Sequence, residues 1–273
     1  MISSDSPEIM LYVRGAFGRM RRDVSSGSLP LDHAEIAIAP AQRGIRFNGE
    51  PIELPAEETG TDVQLGWYGS SRLFRESFRR NPDWRGFHGA ALRVGKRAVI
   101  LVGDSGAGKT TLALSLLSLG AGFYSDEFAF VHRRQRLVWG YPRTLVVRRE
   151  TLGLIAEARL QRLCAPSQAR LTAGGPVWDF VDAGELFGPA VLAEPAPLGA
   201  IVLLTRPAAP QAPALEPLPA TLAALDISPR LNRDETGFAR LTDLAELLAG
   251  VPAYRLTLGL PAPSAALLWE RLQ

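Results

Sequence analysis

Cysteine is nearly absent. Cys164 is the sole one among 273 residues, which excludes an internal disulfide and any zinc site built on several thiolates. A reducing compartment fits that scarcity. No local feature marks Cys164 as an activated nucleophile, so a packing role is expected of it. Long apolar runs are missing as well. None approaches the roughly 18–20 residues of a membrane span, and the N-terminus MISSDSPEIMLYVRG has no long apolar segment behind a basic start, so it is not a secretory signal. A cytoplasmic protein without a membrane span is expected. There is no concentration of one charge either. Lysine plus arginine number 30 against 28 acids, for a formal net charge of +2. The arginines are scattered, whereas a nucleic-acid binder gathers them into a stripe, so no nucleic acid partner is expected. No internal repeat is visible.

What remains is an ordinary globular composition, 47% apolar. The length allows one sizeable core with a smaller appendage, or two modest domains. Residues 1–85 read as a strand-rich N-terminal region, with short apolar runs at Ile9–Val13, Ala34–Ala39 and Gly44–Phe47. Asn48-Gly49, between Gly44–Phe47 and Ile52–Leu54, is a hairpin signal. Residues 21–31 read as a loop, and Arg72–Arg80 as a short amphipathic helix ended by Asn81-Pro82. This region carries no chemical motif.

The next stretch is the informative one. Ala90–Val94 and Arg97–Val102 read as strands joined at Gly95-Lys96, the second fully apolar as in a buried strand. A glycine-rich turn follows, then a helix over Lys109–Leu119 with leucines 112, 116 and 119 on one face and Gly120 to end it. Ala121–Tyr124 is a short strand leading into Asp126-Glu127. Phe128–Val131 and Leu137–Trp139 flank the basic turn His132–Arg136 as a hairpin, whose arginines 133, 134 and 136 are expected to be solvated. Leu145–Val147 is a further strand. Beyond it, a helix is expected over residues 150–165, a loop at Thr172–Pro176 and a strand at Ile201–Leu204. Pro207–Pro219, with five prolines in thirteen residues, reads as a surface loop or extended excursion, since it cannot be a regular helix. Leu241–Leu248 reads as a helix, Tyr254–Leu258 as a strand and Ser264–Leu272 as a closing helix.

Gly103-Asp104-Ser105-Gly106-Ala107-Gly108-Lys109-Thr110 matches G-x-x-x-x-G-K-[ST], with a buried strand before it and an amphipathic helix after it. The glycines let successive backbone N–H groups turn toward one anion. The helix start adds its own free N–H groups and the positive end of its dipole. In this pattern Lys109 bridges β- and γ-phosphates, Thr110 offers a hydroxyl to Mg²⁺, and Thr111 completes the binding turn. ATP and Mg²⁺ are therefore the expected cofactors. Transfer to a hydroxyl also needs a group to take the acceptor's proton. Asp126 and Glu127 lie just past the next strand, where parallel neighbouring strands end at the same sheet edge as the loop. Adjacent residues of an extended chain point to opposite sides, so one carboxylate can hold the metal and the other face the acceptor. Asp83 reads as bulk surface.

The segment FHGAALRVGKRAVILVGDSGAGKTTLALSLLSLGAGFYSDEFAFV, residues 87–131, resembles the HPr kinase/phosphorylase family. It is most similar to the smaller HPr-kinase-related kinases of peptide-maturation pathways, including lasso-peptide tailoring kinases. The correspondence runs through His88-Gly89, the loop Gly103–Thr110 and the acidic pair. The resemblance implies an α/β fold with a mixed sheet around the phosphate-binding loop, like the core of ATP-dependent phosphoenolpyruvate carboxykinases. That core would span residues 86–273. It implies that Asp126 is the catalytic acid/base and that Glu127, where a second Asp is usual, binds Mg²⁺ with Thr110. It puts His88 beside the reacting phosphate. If neutral, His88 can hydrogen-bond Asp126 or the transferred group; if protonated, it helps neutralise developing charge. Pro142-Arg143 resembles a Pro-Arg element of the related kinases, which makes Arg143 a phosphate or substrate contact, with Arg148 and Arg149 as lesser candidates. The longer glycine-containing signature of the true HPr kinase/phosphorylases does not follow the acidic pair. HPr as substrate and the reverse reaction are thus not implied. The expected activity is transfer of the γ-phosphoryl to a hydroxyl, on a serine of a peptide or protein, or on a small molecule such as free serine. A nucleotide-dependent binding or assembly module is the alternative. The oligomeric state stays open.

Overall fold

The computed structural model describes residues 2–4, 13, 34–37, 44–47, 49–52, 66, 69–70, 83–141, 143–148, 151, 153, 178–230 and 238–273. The expected helix over Arg72–Arg80, the loops at 21–31 and Thr172–Pro176, and Cys164, Pro142 and Arg149 lie outside these residues, as does the expected helix 150–165 apart from Thr151, which is helical, and Gly153, which is in a turn.

Four short strands come first: β1 (Ile2–Ser4), β2 (Ala34–Ala37), β3 (Gly44–Phe47) and β4 (Glu50–Ile52). They form one sheet in that order. The β3–β4 hairpin turns at Gly49, whose φ of 86° suits glycine. Val13 is helical, at the end of a run expected to be extended.

The main sheet is mixed, and the chain is α/β. β5 (Trp84–Val94) and β6 (Arg97–Val102) pair antiparallel through Gly95. β5 is longer than expected and takes His88 into its length. The glycine-rich turn then enters α1 (Lys109–Ser118). The helix ends in a Schellman motif: Gly120 N–H donates to Leu117 O and Ala121 N–H to Leu116 O, with Gly120 at φ 103°. Leu119 is therefore the cap rather than the last helical residue.

β7 (Gly122–Ser125) and β8 (Phe128–His132) both run antiparallel to β5 along the same edge, interrupted at Asp126-Glu127. β9 (Leu137–Trp139) closes the expected hairpin with β8. β10 (Leu145–Arg148) pairs with β11 (Trp178–Val181). After α2 (Ala183–Phe187) comes β12 (Ala196–Thr205), parallel to β6. The start of β12 also pairs with β9, so β5, β6, β12, β9 and β8 close a ring of pairings. β13 (Ala214–Pro217) follows, then α3 (Ala220–Ile227), α4 (Phe238–Leu248), β14 (Ala253–Thr257) and α5 (Pro261–Leu272). β14 lies parallel to β12, and β13 lies antiparallel to β14 at the outer edge. The proline-rich excursion thus contains an edge strand, where Pro217 is tolerated because an edge leaves N–H groups outside the ladder.

Helices cover both faces of the central strands. Val99, Leu101 and Val202 pack with Leu112 and Leu116 of α1 and Leu268 of α5. Ala98, Ile100, Val102 and Ile201 pack on the opposite face with Ile227 of α3 and Leu244 and Leu248 of α4. That is why Val99–Val102 is apolar without alternation: every residue of the run faces one core or the other.

A buried ion pair fastens α4. Arg85 grips Asp243 through Nε to Oδ2 and through Nη2 to Oδ1 at 2.6 Å. Arg133 adds a second contact to Asp243 at 3.0 Å and reaches Glu246 at 2.7 Å. Arg136 donates to the carbonyls of Glu246 and Ala249, at 3.0 and 2.6 Å. Two arginines expected to be solvated therefore bind α4, Arg133 through acidic side chains and Arg136 at the C-terminal end, where the helix dipole and free carbonyls attract cations. Arg134 is exposed and pairs with the exposed Asp83 at 3.3 Å.

Candidate active site

Gly103 through Gly108 form the turn between β6 and α1. Ala107 N–H donates to Asp104 O at 3.1 Å and tightens it. Gly106 and Gly108 hold φ of 77° and 102°, which L side chains rarely adopt. Gly103 is needed for space: a Cβ there would come within 3.1 Å of Ala107 Cβ and 3.2 Å of Leu204 O. Asp104, Ser105 and Gly106 are exposed, while Ala107 is buried. Gly108 caps α1 without any side-chain hydrogen bond, and no acid stands in the first turn. The opening amides of α1 are thus left for an external anion.

Lys109 folds back over this turn. Its Nζ donates to Gly103 O at 2.8 Å and Asp104 O at 3.0 Å. Thr110 and Thr111 are half-buried in the first helical turn.

Asp126 and Glu127 occupy the break between β7 and β8. Ser125, fully buried, makes the break. Its hydroxyl accepts from the N–H of Glu127 at 3.3 Å and of Phe128 at 3.1 Å. Gly89 N–H donates to Glu127 O at 2.9 Å across the gap. The expected geometry needs one correction. No parallel neighbour of β6 carries the acids; antiparallel β5 lies between. β7 nevertheless runs in the same sense as β6, so both end at the same edge.

The two carboxylates have separate fates. Asp126 is 5% exposed. Its Oδ2 accepts from Val146 N–H at 3.1 Å, and its Oδ1 has no hydrogen-bond partner among the described residues. Burial raises its pKa above the usual carboxylate value, opposed by the charge of Arg143, the Val146 amide and the charge of Lys109. Glu127 is instead ion-paired with the buried guanidinium of Arg143. His88 sits opposite Phe128 in the β5–β8 register, their rings edge to face with centroids 6.1 Å apart. Arg148 is exposed at the end of β10.

These residues bring a glycine-rich turn, a lysine over it and a buried carboxylate to one sheet edge. No family model matches the chain, and no curated protein matches it. Among solved structures it is similar to the Hpr(Ser) kinase/phosphatase from Coxiella burnetii. The match has 13% identity and a TM-score of 0.35, and covers 68% of this chain and 95% of that one. A likeness so distant carries no argument about activity, which rests on the site itself.

The hard oxygen donors of Thr110, Asp126 and Glu127 suit Mg²⁺. The turn suits a polyphosphate, because its glycines leave the backbone bare. Ser125, the Val146 amide and Arg206 were not singled out from sequence. Arg206 follows β12 and places Nη1 3.4 Å from Gly106 O. Only strand pairing brings it there, across 100 positions.

Proposed function

We propose that this chain is an ATP- and Mg²⁺-dependent kinase that transfers the γ-phosphoryl group to a hydroxyl, on a serine of a peptide or protein. The observation that carries the reading is Asp126. A carboxylate more than nine-tenths buried, with one oxygen unpartnered, is costly to keep. At the edge where a bare glycine turn and a lysine also lie, a reaction explains it better than packing does.

In this reading the turn amides and Lys109 hold the phosphates and stabilise charge that develops on them. Asp126 Oδ1 accepts the acceptor's proton as the hydroxyl oxygen bonds to phosphorus and the bond to the β-phosphate oxygen breaks, leaving ADP. A carboxyl raised in pKa is a stronger base than a solvated one, which suits that task. Thr110 and Glu127 would hold Mg²⁺, whose charge offsets that of the phosphate oxygens. Arg143 keeps Glu127 in place and, with Lys109, favours the ionised form of Asp126. His88, beside Phe128, lines the acceptor side.

The test is transfer of labelled γ-phosphate from ATP to serine-containing peptides and to small hydroxyl compounds, run beside Lys109→Ala. Label on a peptide that vanishes in the variant supports the reading. Label on free serine alone moves the acceptor to a small molecule. Tight nucleotide binding with no transfer to any acceptor leaves the binding-module alternative.

A further inference from the structure

The order of strands gives the site a direction. The turn lies at the end of β6. On one side, two strand spacings away or about 10 Å, stands Asp126, past β5. On the other side β12 and β14, both parallel to β6, end at Thr205 and Thr257. A polyphosphate lying across the turn with its reacting end toward Asp126 must point its other end toward β12 and β14.

A cavity of about 430 Å³ lies there. It opens directly from Gly108 and Thr111, and its walls are the segment after β12, including Pro207 and Ala209, and the entry to α5 at Leu258 and Leu260. The volume falls in the range of small-molecule sites, about 300–1,000 Å³. Its walls are held by tight packing: a Cβ on Gly259 would meet Gln211 O and Pro213 Cδ at 2.7 Å. Ser264, fully buried, accepts from Gly259 N–H at 3.0 Å and fixes the same corner. Leu260 is 72% exposed at the rim, an apolar side chain left in water beside an apolar hollow. A second hollow, about 640 Å³, lies beside Asp104–Ala107, but Asp226 and Arg255, paired at 2.9 Å, form part of its wall. Charged walls suit a solvated group; the first cavity suits a flat, weakly polar ring.

We propose that the cavity between the Pro207–Gln211 segment and the start of α5 seats the nucleoside of the donor, and that it holds the base by shape and apolar contact. This rests on the kinase reading and adds where the donor's nucleoside sits and how its base is read: by shape, with either purine accepted. Arg206 is the one charged residue among the described residues that line it. An apolar pocket discriminates weakly between rings of similar size, by about a hundredfold at most, because no buried polar group is left unpaired by the wrong one.

The experiment is calorimetric titration with ATP, GTP and inorganic triphosphate, each with Mg²⁺, on the full chain and on Leu260→Ser. Serine is a favoured helix N-cap, so the variant keeps α5. ATP and GTP should bind within about tenfold of each other, and each at least about tenfold more tightly than triphosphate. Leu260→Ser should reduce that preference for nucleotide severalfold and leave triphosphate binding unchanged. ATP binding no tighter than triphosphate overturns the nucleoside seat while the phosphate turn stands. A preference for one purine well beyond about a hundredfold overturns recognition by shape. An unchanged preference in Leu260→Ser moves the seat elsewhere. If none of the three ligands binds, the kinase reading falls and this inference falls with it.

Discussion

Asp126 hangs from the amide of Val146 by one carboxylate oxygen, at 3.1 Å, and holds the other toward no donor. Asparagine preserves the first contact and removes the base. Asp126→Asn is therefore expected to bind ATP almost as the parent does, while turnover falls about 10²–10⁴-fold, the usual size of a general-base contribution. Stopped-flow or discontinuous transfer assays give the turnover, and calorimetry gives the binding. Unaltered turnover would remove Asp126 from the chemistry.

The same carboxyl predicts a pH dependence of stability. Its folded-state pKa lies above the ordinary carboxylate value, chiefly through burial. A raised carboxyl favours the folded state fully below the unfolded value and loses that contribution as pH climbs through the folded one. Asp126→Asn has no such titration. The variant should thus gain in Tm relative to the parent as pH rises, and the gap should close toward acid. Activity should move in the opposite direction in the parent, since the base must be ionised: kcat rises with pH through the raised pKa. A Tm difference flat in pH would contradict the burial cost.

Gly106 and Gly108 share a positive φ but not a neighbourhood. A Cβ on Gly106 meets nothing within 4 Å, whereas one on Gly108 comes within 3.1 Å of Leu258 Cδ1. Gly106→Ala should cost only backbone strain, about 1–2 kcal/mol. Gly108→Ala should cost more, and trimming Leu258 to alanine should recover part of the excess but none of the strain. Urea denaturation of the two single variants and the Gly108→Ala, Leu258→Ala double variant separates the terms. Equal costs at both glycines would show that the Leu258 contact does not matter.

Local chemistry was what the sequence made legible. Glycines that needed positive φ announced the turn at 103–108, the stop at Gly120 and the hairpin at Gly49, because backbone strain is a property of one residue. The doubly buried run Val99–Val102 announced itself by lacking alternation. Edge and alanine-rich elements did not. β13 carries a proline, and α3 opens with Ala-Thr-Leu-Ala-Ala, where a helical stripe and a loop look alike. In the site, Asp126 and Lys109 were readable from spacing. The roles of Val146 and Ser125 were not, since a backbone amide has no signature and a serine before an acidic pair has many uses. Arg136 illustrates the same limit: a basic turn looks solvated until a helix end is brought against it from 110 residues away.

Arg85 and Asp243 meet across 158 positions. Arg85 is 3% exposed and grips Asp243 with two nitrogens. Removing either partner leaves a charge stranded in a place that water cannot reach. Arg85→Ala or Asp243→Ala is therefore expected to cost about 3–5 kcal/mol. Exposed Arg133 contacts Asp243 as well, at 3.0 Å, so Arg85→Ala should be the milder of the two. Replacing both charges together, as Arg85→Met with Asp243→Leu, should recover most of the loss, because an apolar pair of similar size needs no solvation. Guanidinium denaturation of the three variants measures this. The turn at the end of β6 and the Asp126-Glu127 break lie level with Gly89, four residues along β5 from Arg85, so a folded double variant should retain nucleotide binding. A double variant as unstable as the single ones would mean that the pair is stabilising in itself, beyond the cost of leaving one charge alone.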